Sequence, residues 1–180
     1  ITNTMTSIIY DPLTYNGGYH VSCYSEDDGM LYAVGGGTDH LPLTYQWYGP
    51  NGFNSTNDSI TNLVAGTYSV TILDSNNCSR NTSFDITSPD DLQYTTLGVL
   101  RNESCEGSCN GQLEISLVGG TLPYVGVSTE TTTGTVITST IIGDTVLPNM
   151  CSGTWSVILT DDNGCSSSLL PGGVSVQTVG

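Results

Sequence analysis

From Thr67 to Ile72 every second residue is apolar: Tyr68, Val70 and Ile72 fall on one side, Thr67, Ser69 and Thr71 on the other. Trp155, Val157 and Leu159 repeat the beat, and Leu113, Ile115 and Leu117 carry it on an earlier run. A period of two with one apolar face predicts antiparallel strands that cover a core on one side. Turn signals separate the runs. "DSNNC" (74–78) and "DDNGC" (161–165) place Asp and Asn where the chain reverses, because these side chains bond their own backbone and tolerate positive φ. Gly36–Gly37 and Gly119–Gly120 stand ahead of Pro42 and Pro123 and mark strand exits. No run has the beat of a helix. Six or seven short strands per unit predict an all-β fold of immunoglobulin-like antiparallel sandwiches.

The runs come in two sets. "LVAGTYSVTILDSNNC" ends at Cys78, and "NMCSGTWSVILTDDNGC" ends at Cys165, 87 residues later. The order of features around them also repeats: Cys, Gly, strand, Gly-Gly, Pro, aromatic, variable middle, Gly-Thr-aromatic strand, Asp turn, Cys. Two tandem units are expected, 11–89 and 90–180, each large enough for a modest core. "TNTMTSIIYDPL" resembles "TSFDITSPDDL" at the unit junction. Residues 1–10 are therefore expected to be the last strand of a preceding repeat, or a strand that packs on a neighbouring subunit.

Charge narrows the partners. Seventeen acidic residues stand against two basic ones, Arg80 and Arg101, for a net charge of −15. Phosphate binding needs cations, so nucleic acid and anionic membrane surfaces are excluded as partners. No apolar run approaches the roughly 20 residues that span a membrane, so no membrane insertion is expected. The start, "ITNTMTSIIY", lacks a basic segment followed by a long apolar core; the chain is expected to have lost a leader or to be cut from a longer one.

Six cysteines with no nearby histidine at zinc spacing point to disulfides, hence to an extracellular or cell-surface setting. Cys23 and Cys78 bracket the first unit, and Cys105 and Cys165 hold the matching places in the second. The expected bonds are Cys23–Cys78 and Cys105–Cys165, which leaves Cys109 and Cys151 to pair.

"PLTYQW", "NLVAGTYSVTILDSNNC" and "CSGTWSVILTDDNGC" resemble the SprB-type repeat of Bacteroidetes surface proteins. Two copies would cover the chain from Asp11 onward. The second copy also resembles a four-cysteine variant of the repeat, which implies Cys109–Cys151. In place of a Trp-bearing middle strand it has "PYVGVSTETTTGTVITSTIIG". The resemblance implies very large secreted surface proteins, adhesins or extracellular filaments of gliding and attachment, exported by the type IX system.

Candidate chemistry is sparse. His20 and His40 have no Ser and Asp that the sequence brings together as a triad, and no enzyme is expected. Asp90, Asp91 and Glu103, with Glu106 nearby, form a candidate Ca2+ site at the unit junction, since hard cations take six to eight oxygens; the plainer reading is carboxylates in water. Glu26, Asp27, Asp28 and the pair Asp161–Asp162 are weaker candidates of the same kind. Tyr45 and Trp47 share one strand face and Tyr48 takes the other, so one set could stack on surface glycans; the plainer reading makes Trp47 a core residue against a disulfide. Sequons stand at Asn54, Asn57, Asn77, Asn81 and Asn102. Ser59 in "DSI" and Thr145 in "DTV", both placed in variable loops, fit the Asp-Ser/Thr-aliphatic glycosylation motif of that bacterial group.

The expected function is a non-catalytic structural and adhesive module of a secreted bacterial adhesin or filament. Its expected partners are neighbouring copies or repeats of the same protein. A carbohydrate-binding module of a secreted enzyme is the alternative.

Overall fold

The computed structural model describes residues 6–37, 40–167 and 173–179. The chain divides into two compact units, Ile1–Ser88 and Pro89–Gly180, one residue from the expected boundary.

The first unit holds β1 (Thr6–Tyr10), β2 (Gly29–Gly36), β3 (Thr44–Tyr48), β4 (Asn54–Ser55), β5 (Ser59–Leu63), β6 (Gly66–Leu73) and β7 (Ser79–Ile86). One sheet runs β1–β2–β5 and the other β4–β3–β6–β7, with every pairing antiparallel. The second unit holds β8 (Gln93–Arg101), β9 (Gly111–Val118), β10 (Tyr124–Glu130), β11 (Val136–Ile141), β12 (Thr145–Met150), β13 (Gly153–Thr160), β14 (Ser166–Ser167) and β15 (Val174–Val176). Its sheets run β8–β9–β12 and β11–β10–β13–β14, with β15 also on β13. Three strands facing four, with successive strands crossing between sheets, is the immunoglobulin-like sandwich that the alternation predicts.

Burial explains the pairing. Tyr68, Val70 and Ile72 of β6 meet Leu31 and Ala33 of β2, Ile60 and Leu63 of β5 and Trp47 of β3 in one core. Trp155, Val157 and Leu159 of β13 meet Leu113 and Ile115 of β9, Leu147 and Met150 of β12 and Tyr124 of β10 in the other. Each fully buried aliphatic side chain contributes about 1.5–3 kcal/mol relative to exposure. Both cores also satisfy an aromatic polar atom: the Tyr68 hydroxyl donates to the Val64 carbonyl at 3.1 Å and Trp155 Nε1 to the Cys151 carbonyl at 3.0 Å, each four residues upstream. Gly66 (φ 143°) and Gly153 (φ 149°) open these two strands in a conformation that a side chain disfavours.

One expectation changes. Thr6–Tyr10 is not a strand of a preceding repeat or of another subunit: it pairs with β2 along its whole length, Thr6 opposite Gly36 and Tyr10 opposite Tyr32. It fills the place that β8 fills beside β9, because the β2 edge needs a partner for its backbone groups. Residues 1–5 lie outside the described residues. The strand after the second Asp turn also differs between units: β7 pairs with all of β6, whereas β14 and β15 cover the two ends of β13.

Each sandwich has two poles. The leading pole is where its first strand begins, and the trailing pole is where that strand ends.

Candidate functional site

The leading poles carry the same device twice. Asp74 and Asp161 are buried, at 5% and 6% exposure. Asp74 Oδ1 accepts the N–H groups of Asn76 and Cys78, each at 2.9 Å, and Asp161 Oδ1 accepts those of Asn163 at 3.0 Å and Cys165 at 2.8 Å. The Asp74 and Asp161 N–H groups donate in return to the carbonyls of Cys78 and Cys165. One carboxylate thus fixes a five-residue turn and sets a cysteine at its end. Asp161 Oδ2 also accepts the Thr121 N–H at 2.8 Å.

The trailing pole of the first unit is the loop 11–28. His20 and Val21 donate backbone N–H groups to the Thr87 carbonyl. The Thr87 N–H donates to His20 Nδ1 at 3.0 Å, with the Thr87 hydroxyl 2.8 Å from the same nitrogen. His20 Nε2 lies 3.7 Å from Asp11 Oδ2. Asp28 accepts the Ser22 N–H at 3.0 Å and the Tyr15 hydroxyl at 2.9 Å. Burial pushes the Asp28 carboxyl up, but the bonds from Ser22 and Tyr15 outweigh it and hold the group below the usual range. Cys23 sits in this pinned loop.

The trailing pole of the second unit is built on Glu103, which has no solvent exposure. Its Oε1 accepts the Cys109 N–H at 2.6 Å, and its Oε2 accepts the Ser152 N–H at 2.8 Å and the Thr178 hydroxyl at 3.5 Å. The bonds from Cys109 and Ser152 hold this carboxyl below the usual range. Its two backbone partners are therefore one cysteine of the Cys109–Cys151 disulfide and the residue that follows the other, and this is the bond that the four-cysteine resemblance implied. Cys105 stands in the adjoining turn, where its carbonyl accepts the Ser108 N–H at 3.0 Å.

The other two expected disulfides are absent. Cys78 and Cys105 are exposed free thiols, while Cys23 and Cys165 are disulfide-bonded. The reason lies inside each unit. Cys23 is at the trailing pole, beside Thr87 at the end of β7, and Cys78 is at the leading pole, just before β7 begins. Eight residues of strand separate the poles by about 26 Å. Cys105 and Cys165 are parted in the same way by the eight residues of β13. A disulfide needs its Cα atoms within about 7 Å.

The remaining candidates are scattered. Asp90 and Asp91 stand at the leading pole of the second unit, where the Asp90 carbonyl accepts the Gly120 N–H and Asp91 Oδ2 accepts Gln93 Nε2. Glu103 is beyond the far end of the nine-residue β8, so the three carboxylates do not share a Ca2+ site. Among the described residues no three His, Cys, Asp or Glu side chains are grouped to hold a metal. Glu26 and Asp27 are exposed. Trp47 has no exposure, and its Nε1 donates to the Asn57 carbonyl at 2.9 Å; Tyr45 is half-buried against the core and Tyr48 is exposed, so the three do not form one platform. Ser59 and Thr145 are half-buried first residues of β5 and β12 rather than loop residues, and the Ser59 hydroxyl donates to Asp58 Oδ1 at 3.1 Å. His40 offers its carbonyl to the Ser75 N–H at the first unit's leading pole.

Sequence reasoning missed two structural carboxylates, Glu103 as the anchor of a pole and Glu130. Glu130 is buried, its Oε2 accepts the Thr132 and Thr133 N–H groups, and the bond from Thr133 leads in holding its carboxyl below the usual range. The signal was local: "ETTTG" is an acid opening a tight turn, and "NESC" sets an acid two residues before a cysteine.

No protein family's sequence model matches the chain. No curated protein matches it in sequence. Among solved structures, the chain is similar to a segment of two fibronectin type III domains from chicken tenascin, with 12% identity, 81% of this chain and 94% of that chain covered, and a TM-score of 0.34. That likeness is too loose to bear on function.

Proposed function

We propose that the chain is a non-catalytic structural and adhesive module of a large secreted bacterial surface adhesin or extracellular filament. In this reading the two units are SprB-type repeats. The observation that carries it is the duplication itself. One chain holds two sandwiches with the same sheet order, the same Asp-held turn before a cysteine and the same glycine-opened strand. A repeated unit is how a chain makes length, and length is what a stalk or filament needs. Disulfide bonding fits an oxidising, extracellular setting. No helix among the described residues is long and apolar enough to cross a membrane.

Electron microscopy of the material as secreted, without refolding, tests the proposal. Ordered filaments or bundles are expected; dispersed compact particles would sink self-assembly.

A second reading, a carbohydrate-binding module, rests on one groove of the first unit. Tyr32, Tyr45, Asp58 and Ser59 line it. Tyr32 also stacks on Tyr10 with ring centroids 5.0 Å apart and planes 17° from parallel. Aromatic faces beside a carboxylate suit a sugar. Binding on a glycan array that is lost in Tyr32→Ala would favour this reading.

A further inference from the structure

We infer that Cys105 of one copy bonds to Cys78 of another, coupling copies head to tail through a disulfide. The inference rests on the fibre reading and supplies its covalent joint.

Both residues are exposed free thiols in a chain whose other four cysteines are oxidised. The second observation is internal to the repeat. Cys165 occupies the place of Cys78, at the end of the same Asp-held turn. Cys23 occupies the place of Cys105, between the first and second strands at the trailing pole. Both equivalents are disulfide-bonded. The same two positions that are free in one unit therefore hold sulfur–sulfur bonds in the other.

Chain direction sorts them. The segment between β7 and β8 leaves the first unit at its trailing pole and enters the second at its leading pole. The cysteines at these two poles, Cys23 and Cys165, are the oxidised ones. The free thiols stand at the two poles that the segment does not serve. Each copy thus offers one thiol of each kind, one in each unit. A bond between unlike thiols is heterologous and leaves one thiol of each kind open, so linking propagates instead of closing at a dimer. The Asp74 carboxylate already fixes the turn that presents Cys78, which lowers the ordering cost of the joint.

The chemistry balances with a low-molecular-weight disulfide as oxidant. A thiolate attacks it and releases one thiol. The second protein thiolate then attacks the mixed disulfide and releases the other. Two protein thiols lose two protons and two electrons, and the oxidant is reduced to two thiols.

The test incubates the whole chain with oxidised glutathione and separates products without reductant. The expected result is a ladder of dimers, trimers and larger species that collapses on reduction, with Cys78–Cys105 as the cross-linked peptide in mass spectrometry. Cys78→Ser and Cys105→Ser, each alone, should lose every species above the dimer. An equimolar mixture of the two variants should restore the Cys78–Cys105 peptide in dimers only. A chain that stays monomeric with both thiols open to alkylation would overturn the inference, as would Cys78–Cys78 and Cys105–Cys105 links alone. The fibre reading fails separately. Ordered filaments from the double variant Cys78→Ser/Cys105→Ser would keep that reading and remove the covalent joint. A Cys78–Cys105 ladder with no filament under the microscope would do the reverse.

Discussion

Glu103 is buried and acceptor-only, and the protein gives it N–H and O–H donors. Those donors favour the charged form, so its folded pKa lies below the ordinary 4.5. As pH falls, the unfolded chain takes up the proton first. The stabilisation is therefore full above about pH 4.5 and is lost as pH falls through the lower, folded value. Glu130 is lowered in the same unit and acts in the same direction. Glu103→Gln should lower the melting temperature of the second unit by several degrees near neutral pH and flatten its acid limb. Thermal melts across an acid series check both; an unchanged acid limb would remove Glu103 from the account. Gly153 makes a second prediction at this scale. Its φ is 149°, and a Cβ there would stand 2.7 Å from Glu130 Oε1. Gly153→Ala should cost about 1–3 kcal/mol through backbone strain and the clash. Gly143→Ala, with open space around the site, should cost far less in the same denaturant titration.

At the level of strands, the alternating residues are the part of the fold that the chain spells out. Tyr68, Val70, Ile72, Trp155, Val157 and Leu159 are all in the cores, because a period of two leaves a half-buried strand no other way to face. The Asp turns were legible for a similar reason, since Asp and Asn act on the backbone beside them. The cysteine pairs were not. A repeat shows which residues are equivalent, and equivalence says nothing about distance; Cys23 and Cys78 bracket a unit in sequence because they sit at its opposite poles. The place of the first strand was not legible, because "TSIIY" carries no mark of which sheet edge it covers. The short β4 and β14 are too brief to show any period. The Cys109–Cys151 bond joins residues 42 apart, close to the start of β9 and the start of β13. In the chain-entropy model a loop of that size is worth about 4 kcal/mol. Cys109→Ser/Cys151→Ser should lower the stability of the second unit by that order. The first unit, whose core has no member from this loop, should melt as before. Calorimetry of the double variant checks the difference, and equal losses in both units would contradict the assignment.

For the whole molecule, charge sets how fast copies meet. Every copy carries −15, so two copies repel one another along any approach, and a reaction between Cys78 of one and Cys105 of another must cross that field. Salt screens it. The Debye length falls from about 30 Å at 0.01 M ionic strength to about 8 Å at 0.15 M. The first step, a protein thiolate on the small disulfide oxidant, has no comparable dependence unless the oxidant is charged. With an uncharged disulfide as oxidant, the rate of Cys78–Cys105 ladder formation should therefore rise several-fold over that salt range, while alkylation of the same thiols by a neutral reagent should stay nearly constant. The comparison separates encounter from reactivity. A ladder rate that falls with salt would mean that opposite charges draw the two thiol sites together. With Arg80 in the first unit and Arg101 in the second as the chain's only Arg or Lys residues, such an attraction would have to come from a site around one of those two arginines. A rise in the ladder rate with flat alkylation is the behaviour of like-charged copies whose joining is limited by their encounter.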